Sequence, residues 1–142
     1  MAKSKQKKQK TVLSPQKGSQ EDFINAKAEI TFYGGAAGSG KSHALLLEPL
    51  QHLNDPNYNC VFFRRTTAQL EGSLWPEAKK IYGQFKGVKF HERDKTVKWP
   101  SGAKFKFAYM ELDKHADFNH QGLQYSAVFW DEFTHYNSLE LV

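Results

Sequence analysis

The sequence has one cysteine, no long apolar run and no secretory leader, and each absence narrows the class of protein. Cys60 cannot form an internal disulfide, and its apolar neighbours predict a reduced, buried residue. No apolar run approaches the roughly 20 residues of a membrane span, and no signal-peptide core follows Met1. We therefore expect a soluble protein that stays in the compartment where it is made and has no membrane partner. Its 142 residues are enough for one domain with a real core.

Acidic residues are absent from the first 20 positions, which hold six of the 20 basic residues. The rest of the chain carries 14 basic and 15 acidic residues, so the net charge of +5 belongs to the N-terminal segment. Residues 1–13 are rich in lysine and glutamine and predict a disordered basic tail. Weak contact with nucleic acid and a solvated leader without a specific role are both open interpretations.

A glycine-rich loop at residues 35–42 has the pattern G-x-x-x-x-G-K-S of a phosphate-binding loop. Small residues let backbone N–H groups come close to phosphate oxygens, and here they are Gly35, Ala36, Ala37, Gly38, Ser39 and Gly40. Lys41 would place its charge on the β and γ phosphates of a nucleotide, and the Ser42 hydroxyl would be a ligand of Mg²⁺. The alternative is a flexible turn that binds no nucleotide.

The residues on either side of the loop support the phosphate-binding interpretation. The β-branched and aromatic residues 29–33 predict a strand before the loop, and an apolar helix follows from Lys41. The helix N-terminus would add its positive dipole to a phosphate site. Because Pro49 removes a backbone hydrogen bond, this helix should kink there or end near Glu48.

A second motif occurs at residues 127–132, where four apolar residues end in two carboxylates. This pattern is typical of a Walker B strand, in which Asp131 would hold Mg²⁺ opposite Ser42. Glu132 would activate the attacking water as a general base. A purely structural role for both carboxylates is the alternative.

Two arginines follow another predicted strand, residues 59–63. Ligands of open α/β sheets bind beyond the carboxyl ends of the strands, so Arg64 and Arg65 are candidates for phosphate chemistry. A solvated charged edge is the other interpretation. One or two short helices should follow over residues 67–85, with a break near Gly72 and Pro76.

Alternating apolar and polar residues over 88–110 predict a β-meander, distinct from the apolar strands of the sheet, with one face in water. Lys98, Lys104 and Lys106 share that face, either as a solvated surface or as a contact for nucleic acid. A polar segment follows with four potential metal ligands, Asp113, His115, Asp117 and His120. None of their spacings is an established ligand pattern, so we assign no metal there.

Together these motifs resemble the ATPase part of the large terminase subunit of tailed phages, the motor that packages DNA. The resemblance extends from about residue 14 to the end, and Gln20 occupies the place of an adenine-contacting glutamine. It implies an α/β fold over residues 14–142, namely a P-loop NTPase (ASCE/RecA-like) three-layer core with the meander as an insertion. The implied cofactors are ATP and Mg²⁺. The implied partners are double-stranded viral DNA, the portal of the procapsid, the small terminase subunit and further copies in a ring, in the host cytoplasm.

The sequence departs from the terminase pattern in two respects. Some terminases carry an arginine early in the phosphate loop, where this chain has Ala36 and Ala37, so Arg64 or Arg65 would supply that charge. The sequence also ends ten residues after Glu132, without a nuclease domain or the strand that would complete the sheet. We therefore assign no DNA cleavage to this chain, and we expect it to be marginally stable or prone to aggregation because of unpaired strand edges.

Two other functions remain open at the level of sequence. A helicase-like or recombination ATPase would share the same nucleotide motifs. A non-catalytic remnant would bind nucleotide without hydrolysing it, or would retain only the contacts of its basic tail.

Overall fold

A computed structural model describes residues 13–36, 38–109 and 124–132. The described helical elements are α1 (Ser19–Ile24), α2 (Lys41–Leu47), a 3-10 segment (Glu48–His52), α3 (Thr67–Gln69), a π-helical segment (Leu70–Leu74) and α4 (Trp75–Tyr82). The described strands are β1 (Asn59–Arg64), β2 (Lys89–His91), β3 (Thr96–Lys98), β4 (Lys104–Tyr109) and β5 (Ala127–Trp130). The mixed α/β composition agrees with the fold class expected from the sequence.

The five strands form one mixed sheet in the order β2-β3-β4-β1-β5. Strand β1 pairs in parallel with both β4 and β5, whereas β2, β3 and β4 pair antiparallel. Because β1 and β5 are parallel neighbours, their carboxyl ends lie side by side. Phe63 is opposite Trp130 in the register, so Arg64 and Asp131 come next to each other at that edge.

The main core lies on the side of the sheet that the helices cover. Phe62 is fully buried at its centre, with ring centroids 4.7 Å from Phe107 and 4.8 Å from Phe129. These three aromatic residues come from adjacent strands and meet side chains of α2 and α4, including Leu46 and Tyr82. Their burial stabilises the fold, since apolar area removed from water contributes about 25 cal/mol per Å².

The opposite face of the sheet has a smaller apolar cluster around Val61 and Phe63. In the part of the chain that the structure describes, the helices pack on the first face only. The described residues therefore form two layers, and the three-layer arrangement expected from the sequence is not seen in them.

The meander belongs to the same sheet as the apolar strands, so the prediction that it is distinct from them was wrong. Alternation explains the difference: Phe105 and Phe107 of β4 face the same core as Phe62, which allows β4 to pair along the whole of β1. The register confirms that the three lysines share a face, since Lys98 lies directly opposite Lys104 and Lys106 is two residues further along β4.

The type of helix changes at both predicted breaks, but the helical chain is interrupted at neither. Helix α2 ends at Leu47 and continues as a 3-10 segment that contains Pro49, in agreement with the predicted change near Glu48. Residues 67–82 are helical throughout, with a π-helical turn just before Pro76, which lies in the first turn of α4. Cys60 is buried, and this burial raises the pKa of its thiol well above the usual range, so it remains protonated.

Residues 29–33 do not form the strand that their composition predicts. A strand needs a neighbour for its backbone hydrogen bonds, and β5 ends the sheet with no further strand beside it among the described residues. Ile30 and Phe32 are consequently exposed, at 69% and 75%. Tyr33 stacks on Phe23 of α1, with ring centroids 5.4 Å apart, and this contact holds the segment near the loop.

No helix among the described residues is long and apolar enough to cross a membrane. Residues 1–12 of the predicted basic tail (1–13) and the four polar metal candidates at 113–120 lie outside the described residues. Within the described ranges, no three His, Cys, Asp or Glu side chains cluster as a metal site.

A buried hydrogen bond links α4 to the end of α2, since the Tyr82 hydroxyl donates to the Leu46 carbonyl at 2.7 Å. Tyr82→Phe keeps the ring but removes this donor, so we expect a loss of about 1–2 kcal/mol in the free energy of unfolding, measured by urea denaturation. Tyr109→Phe is the control because Tyr109 is 45% exposed, and it should change stability little. Equal losses in the two variants would contradict this interpretation.

Candidate functional site

Three separate parts of the chain converge at the carboxyl edge of β1 and β5. They are the start of α2 with Ser42, the last residue of β1, Arg64, and the residue after β5, Asp131. Ser42 and Asp131 are 89 positions apart, and their side chains are in direct contact. The fold thus joins the two sequence motifs into one site.

Asp131 is the buried centre of this site, with only 2% of its surface exposed. The Ser42 hydroxyl lies 3.1 Å from Oδ1 and 2.9 Å from Oδ2, and the backbone N–H of Glu132 donates to Oδ1 at 3.1 Å. The backbone N–H of Asp131 donates to the Phe63 carbonyl at 3.0 Å, which ties the carboxylate to the end of β1. These contacts hold the carboxylate in one orientation.

Arg64 supplies the positive charge that balances the Asp131 carboxylate. Its Nε and Nη2 lie 2.7 Å and 2.6 Å from the same oxygen, Oδ2, and both side chains are at least nine-tenths buried. Nη2 also lies 3.4 Å from the Ser42 hydroxyl. Short charge-assisted hydrogen bonds of this kind are among the stronger polar contacts in proteins.

The Lys41 ammonium turns back on the loop that precedes it. It donates to the carbonyls of Gly35 at 2.5 Å and Ala36 at 3.0 Å, and it lies 3.5 Å from the Ser39 hydroxyl. The Lys41 ammonium, which the sequence predicts to bind phosphates, is therefore hydrogen-bonded to backbone oxygens of the loop itself.

Gln20 supports the loop from behind. Its side chain is only 3% exposed, Nε2 donates to the Gly40 carbonyl at 3.0 Å, and Oε1 accepts from the Gln16 N–H at 2.8 Å. Gly40 has the left-handed φ of 77°, and a Cβ there would collide with the Gln20 amide. Gln20 thus packs where only glycine leaves room, and its proposed contact with adenine stays a prediction.

Glu132 has a backbone conformation that is uncommon for residues other than glycine, with φ 55°. Such strained positions occur preferentially at functional sites. The turn takes the chain away from β5 directly after Asp131, so both carboxylates of the motif follow the strand end.

A family model described as the terminase large subunit, T4likevirus-type, N-terminal, matches residues 32–140 of this chain. The chain belongs to this family. The matched region contains the loop, β1 with its arginine and the Asp131–Glu132 pair, so the terminase motifs and the converging side chains coincide. Curated proteins and solved structures gave no significant match.

The donor set of this terminase site fits a Mg²⁺ ion. Hydroxyl and carboxylate oxygens are the hard ligands that Mg²⁺ prefers, and adjacent ligands of an octahedral ion lie about 2.9 Å apart. Ser42 and Asp131 already have this separation and come from independent elements. Both side chains would therefore hold the ion with little rearrangement of their own.

The structure brings together most of the residues predicted from the sequence. Lys41, Ser42, Asp131 and Glu132 lie around one edge of the sheet, and of the two predicted arginines it is Arg64 that contacts the carboxylate. Ala37 lies outside the described residues. Which arginine supplies charge to a nucleotide remains a prediction.

Two features of the site were not found by sequence reasoning. The first is the packing of Gln20 against Gly40. Gln20 lies in a polar segment, where no periodic pattern of apolar residues indicates that a side chain is buried. The second is the direct pairing of Arg64 with Asp131. The order of the strands decides this contact, and only the position of both residues after apolar strands could have suggested it.

The Gln20–Gly40 packing predicts different costs for two glycines of the loop. Gly38 and Gly40 have φ values of 78° and 77°, but a Cβ meets the Gln20 side chain only at Gly40 and open space at Gly38. Gly38→Ala should therefore cost only the left-handed backbone term of about 1–2 kcal/mol, and Gly40→Ala more. Thermal or urea unfolding measures both.

A double-mutant cycle with Gln20→Ala isolates the packing term. In that background the excess cost of Gly40→Ala over Gly38→Ala should disappear, because the colliding amide is gone. An excess that persists without the Gln20 side chain would show that another feature of the loop causes it.

Proposed function

We propose that this chain binds ATP with Mg²⁺ and hydrolyses it as the ATPase part of a phage terminase large subunit. The observation that carries the proposal is the contact of Ser42 with Asp131 across 89 positions, beside Lys41. If the glycine-rich loop and the apolar strand were unrelated motifs, there would be no reason for Ser42 and Asp131 to be in contact. A P-loop NTPase core is part of the proposal, supported by the parallel β1 and β5 that end at the loop.

Each residue of the site has a role in this proposal. The N–H groups of loop residues 35–40 would bind phosphate oxygens, and Lys41 would exchange loop carbonyls for the β and γ phosphates. Ser42 and Asp131 would hold Mg²⁺, which neutralises charge that develops on the phosphates. Gln20 would keep the loop in shape and, as the family resemblance implies, lie near the adenine.

Hydrolysis requires a water molecule activated next to the terminal phosphate. Glu132 is the candidate base, since it follows Asp131 at the same strand end and its carboxylate would accept the proton of the attacking water. Arg64 and Arg65 are the candidates for stabilising charge in the transition state, which an arginine supplies in other phosphoryl-transfer sites.

The proposed setting of this activity is the packaging of phage DNA. ATP hydrolysis would drive double-stranded viral DNA into the procapsid through its portal, with the small terminase subunit and further copies of the large subunit in a ring. This takes place in the host cytoplasm, where phage heads assemble. A helicase-like ATPase would instead unwind duplex DNA without a procapsid.

Lys41→Ala removes the charge proposed to bind the phosphates. Because hydrogen bonds to charged groups contribute about 1.5–3 kcal/mol, we expect roughly a 10- to 150-fold rise in the Kd for ATP. Binding is measured with a fluorescent ATP analogue in the presence of Mg²⁺. Lys27→Ala is the matched control, since Lys27 is an exposed lysine outside loop residues 35–42. Unchanged affinity of Lys41→Ala would refute the nucleotide site.

Glu132→Gln separates binding from hydrolysis, because the amide keeps the shape of the side chain but cannot accept the proton. We expect ATP affinity close to that of the wild type and phosphate release slower by roughly 10²–10⁴-fold. Glu29→Gln, at an exposed carboxylate, should behave like the wild type in both assays. If the wild type binds ATP but releases no phosphate, the chain is a non-catalytic nucleotide-binding protein.

A further inference from the structure

The cationic side chains Lys41 and Arg64 both have hydrogen-bond acceptors within the protein itself. Lys41 donates to two loop carbonyls, and Arg64 pairs with Asp131 through two short contacts to Oδ2. The Arg64–Asp131 pair is almost completely shielded from water, with side-chain exposures of 9% and 3%. The Asp131 carboxylate thus has its counter-ion within the chain.

A buried ion pair of this kind needs a physical reason. Taking a guanidinium and a carboxylate out of water costs several kcal/mol per ion, and their attraction recovers this cost only with good geometry. An ionised carboxylate in this buried place is stabilised by a cation beside it. Arg64 is the cation that the chain itself provides.

The guanidinium lies where a metal ion would lie. Its Nη2 contacts both Oδ2 of Asp131 and the Ser42 hydroxyl, the two oxygens that form the magnesium donor set. A divalent cation on these oxygens would be within contact distance of the guanidinium, and the two positive charges would repel at close range in a buried place. The two cations cannot occupy this position together.

We infer that Arg64 is a built-in counter-ion that exchanges with Mg²⁺ when the nucleotide binds. This inference rests on the proposed function and describes the regulation of the same site. The guanidinium then moves away from Asp131. Because Arg64 is at the carboxyl end of β1, next to the loop, phosphate oxygens become the new partners of the guanidinium. The nucleotide thus compensates the loss of the Arg64–Asp131 pair, and Mg²⁺ alone does not.

The exchange couples the two ligands thermodynamically. Mg²⁺ alone must displace Arg64 while the guanidinium gains no new partner, so it binds weakly. When a nucleotide is present, its phosphate oxygens bind the displaced guanidinium, and Mg²⁺ binds more tightly. By linkage, Mg²⁺ raises the affinity for nucleotide by the same factor. Removing the guanidinium should therefore strengthen the binding of Mg²⁺ alone and weaken this coupling.

The test measures Mg²⁺ affinity by calorimetry on the whole 142-residue chain, with and without a non-hydrolysable ATP analogue. Arg64→Met keeps an apolar stem of similar length but no charge, and we expect Mg²⁺ alone to bind it roughly 5- to 150-fold more tightly than the wild type. Arg64→Lys cannot place two N–H groups on Oδ2, so its affinity should lie between these values. Arg93→Met, at an exposed turn arginine, should match the wild type.

The outcomes separate this inference from the proposed function. If Mg²⁺ binds Arg64→Met no more tightly while the wild type binds the ATP analogue, the exchange is wrong and the nucleotide site stands. If no variant binds the analogue, the proposed function fails, and the affinities for Mg²⁺ alone still report the competition.

A stability measurement tests whether the Arg64→Met variant folds. Its melting temperature without Mg²⁺ should fall below that of the wild type, because Asp131 is left buried without a cation, and added Mg²⁺ should raise it more than in the wild type. If Arg64→Met does not fold under either condition, a Mg²⁺ affinity of Arg64→Lys equal to that of the wild type overturns the exchange.

Discussion

The structure depends on a buried carboxylate at the edge of its sheet. Asp131 is placed there by the pairing of β5 with β1, and it must be matched by a cation and by hydrogen bonds because water cannot reach it. Ser42 and Arg64 meet this requirement from two other elements. One electrostatic constraint therefore fixes the relative positions of the loop, the central strand and the end of β5, the parts from which a nucleotide site would be built.

The aromatic core makes this arrangement rigid. Phe62 is stacked between Phe107 and Phe129, so the three parallel strands are held together by side chains as well as by backbone hydrogen bonds. Arg64 lies two residues after Phe62 on the same face of β1, so the packing of Phe62 also holds Arg64 in place. The opposite face is less well covered at the outer strand, where Trp130 packs on Phe63 with ring centroids 4.8 Å apart but Val128 is 45% exposed. The well-packed face thus coincides with the face that bears the site.

Much of the fold was predictable from local patterns, because strand alternation, a proline in a helix and a glycine-rich loop act over a few residues. The strand before Arg64, the end of the helix near Glu48 and the meander strands all appear close to where they were expected. The predictions that were wrong concern which segments pair with each other in the sheet. Residues 29–33 have strand composition but form no strand in the part of the chain that the structure describes, and the meander joined the main sheet because Phe105 and Phe107 match the core pattern of β1.

The sequence by itself determined the chemical groups of the site: a loop without side-chain bulk, a lysine, a hydroxyl and two carboxylates at fixed spacing. These follow from residue identity and need no knowledge of the fold. Only the tertiary structure decided which groups meet. The parallel register of β1 and β5 brings Arg64 to Asp131, and the left-handed turn at Gly40 makes room for Gln20. Contacts across dozens of positions depend on strand order and packing, which no local pattern encodes.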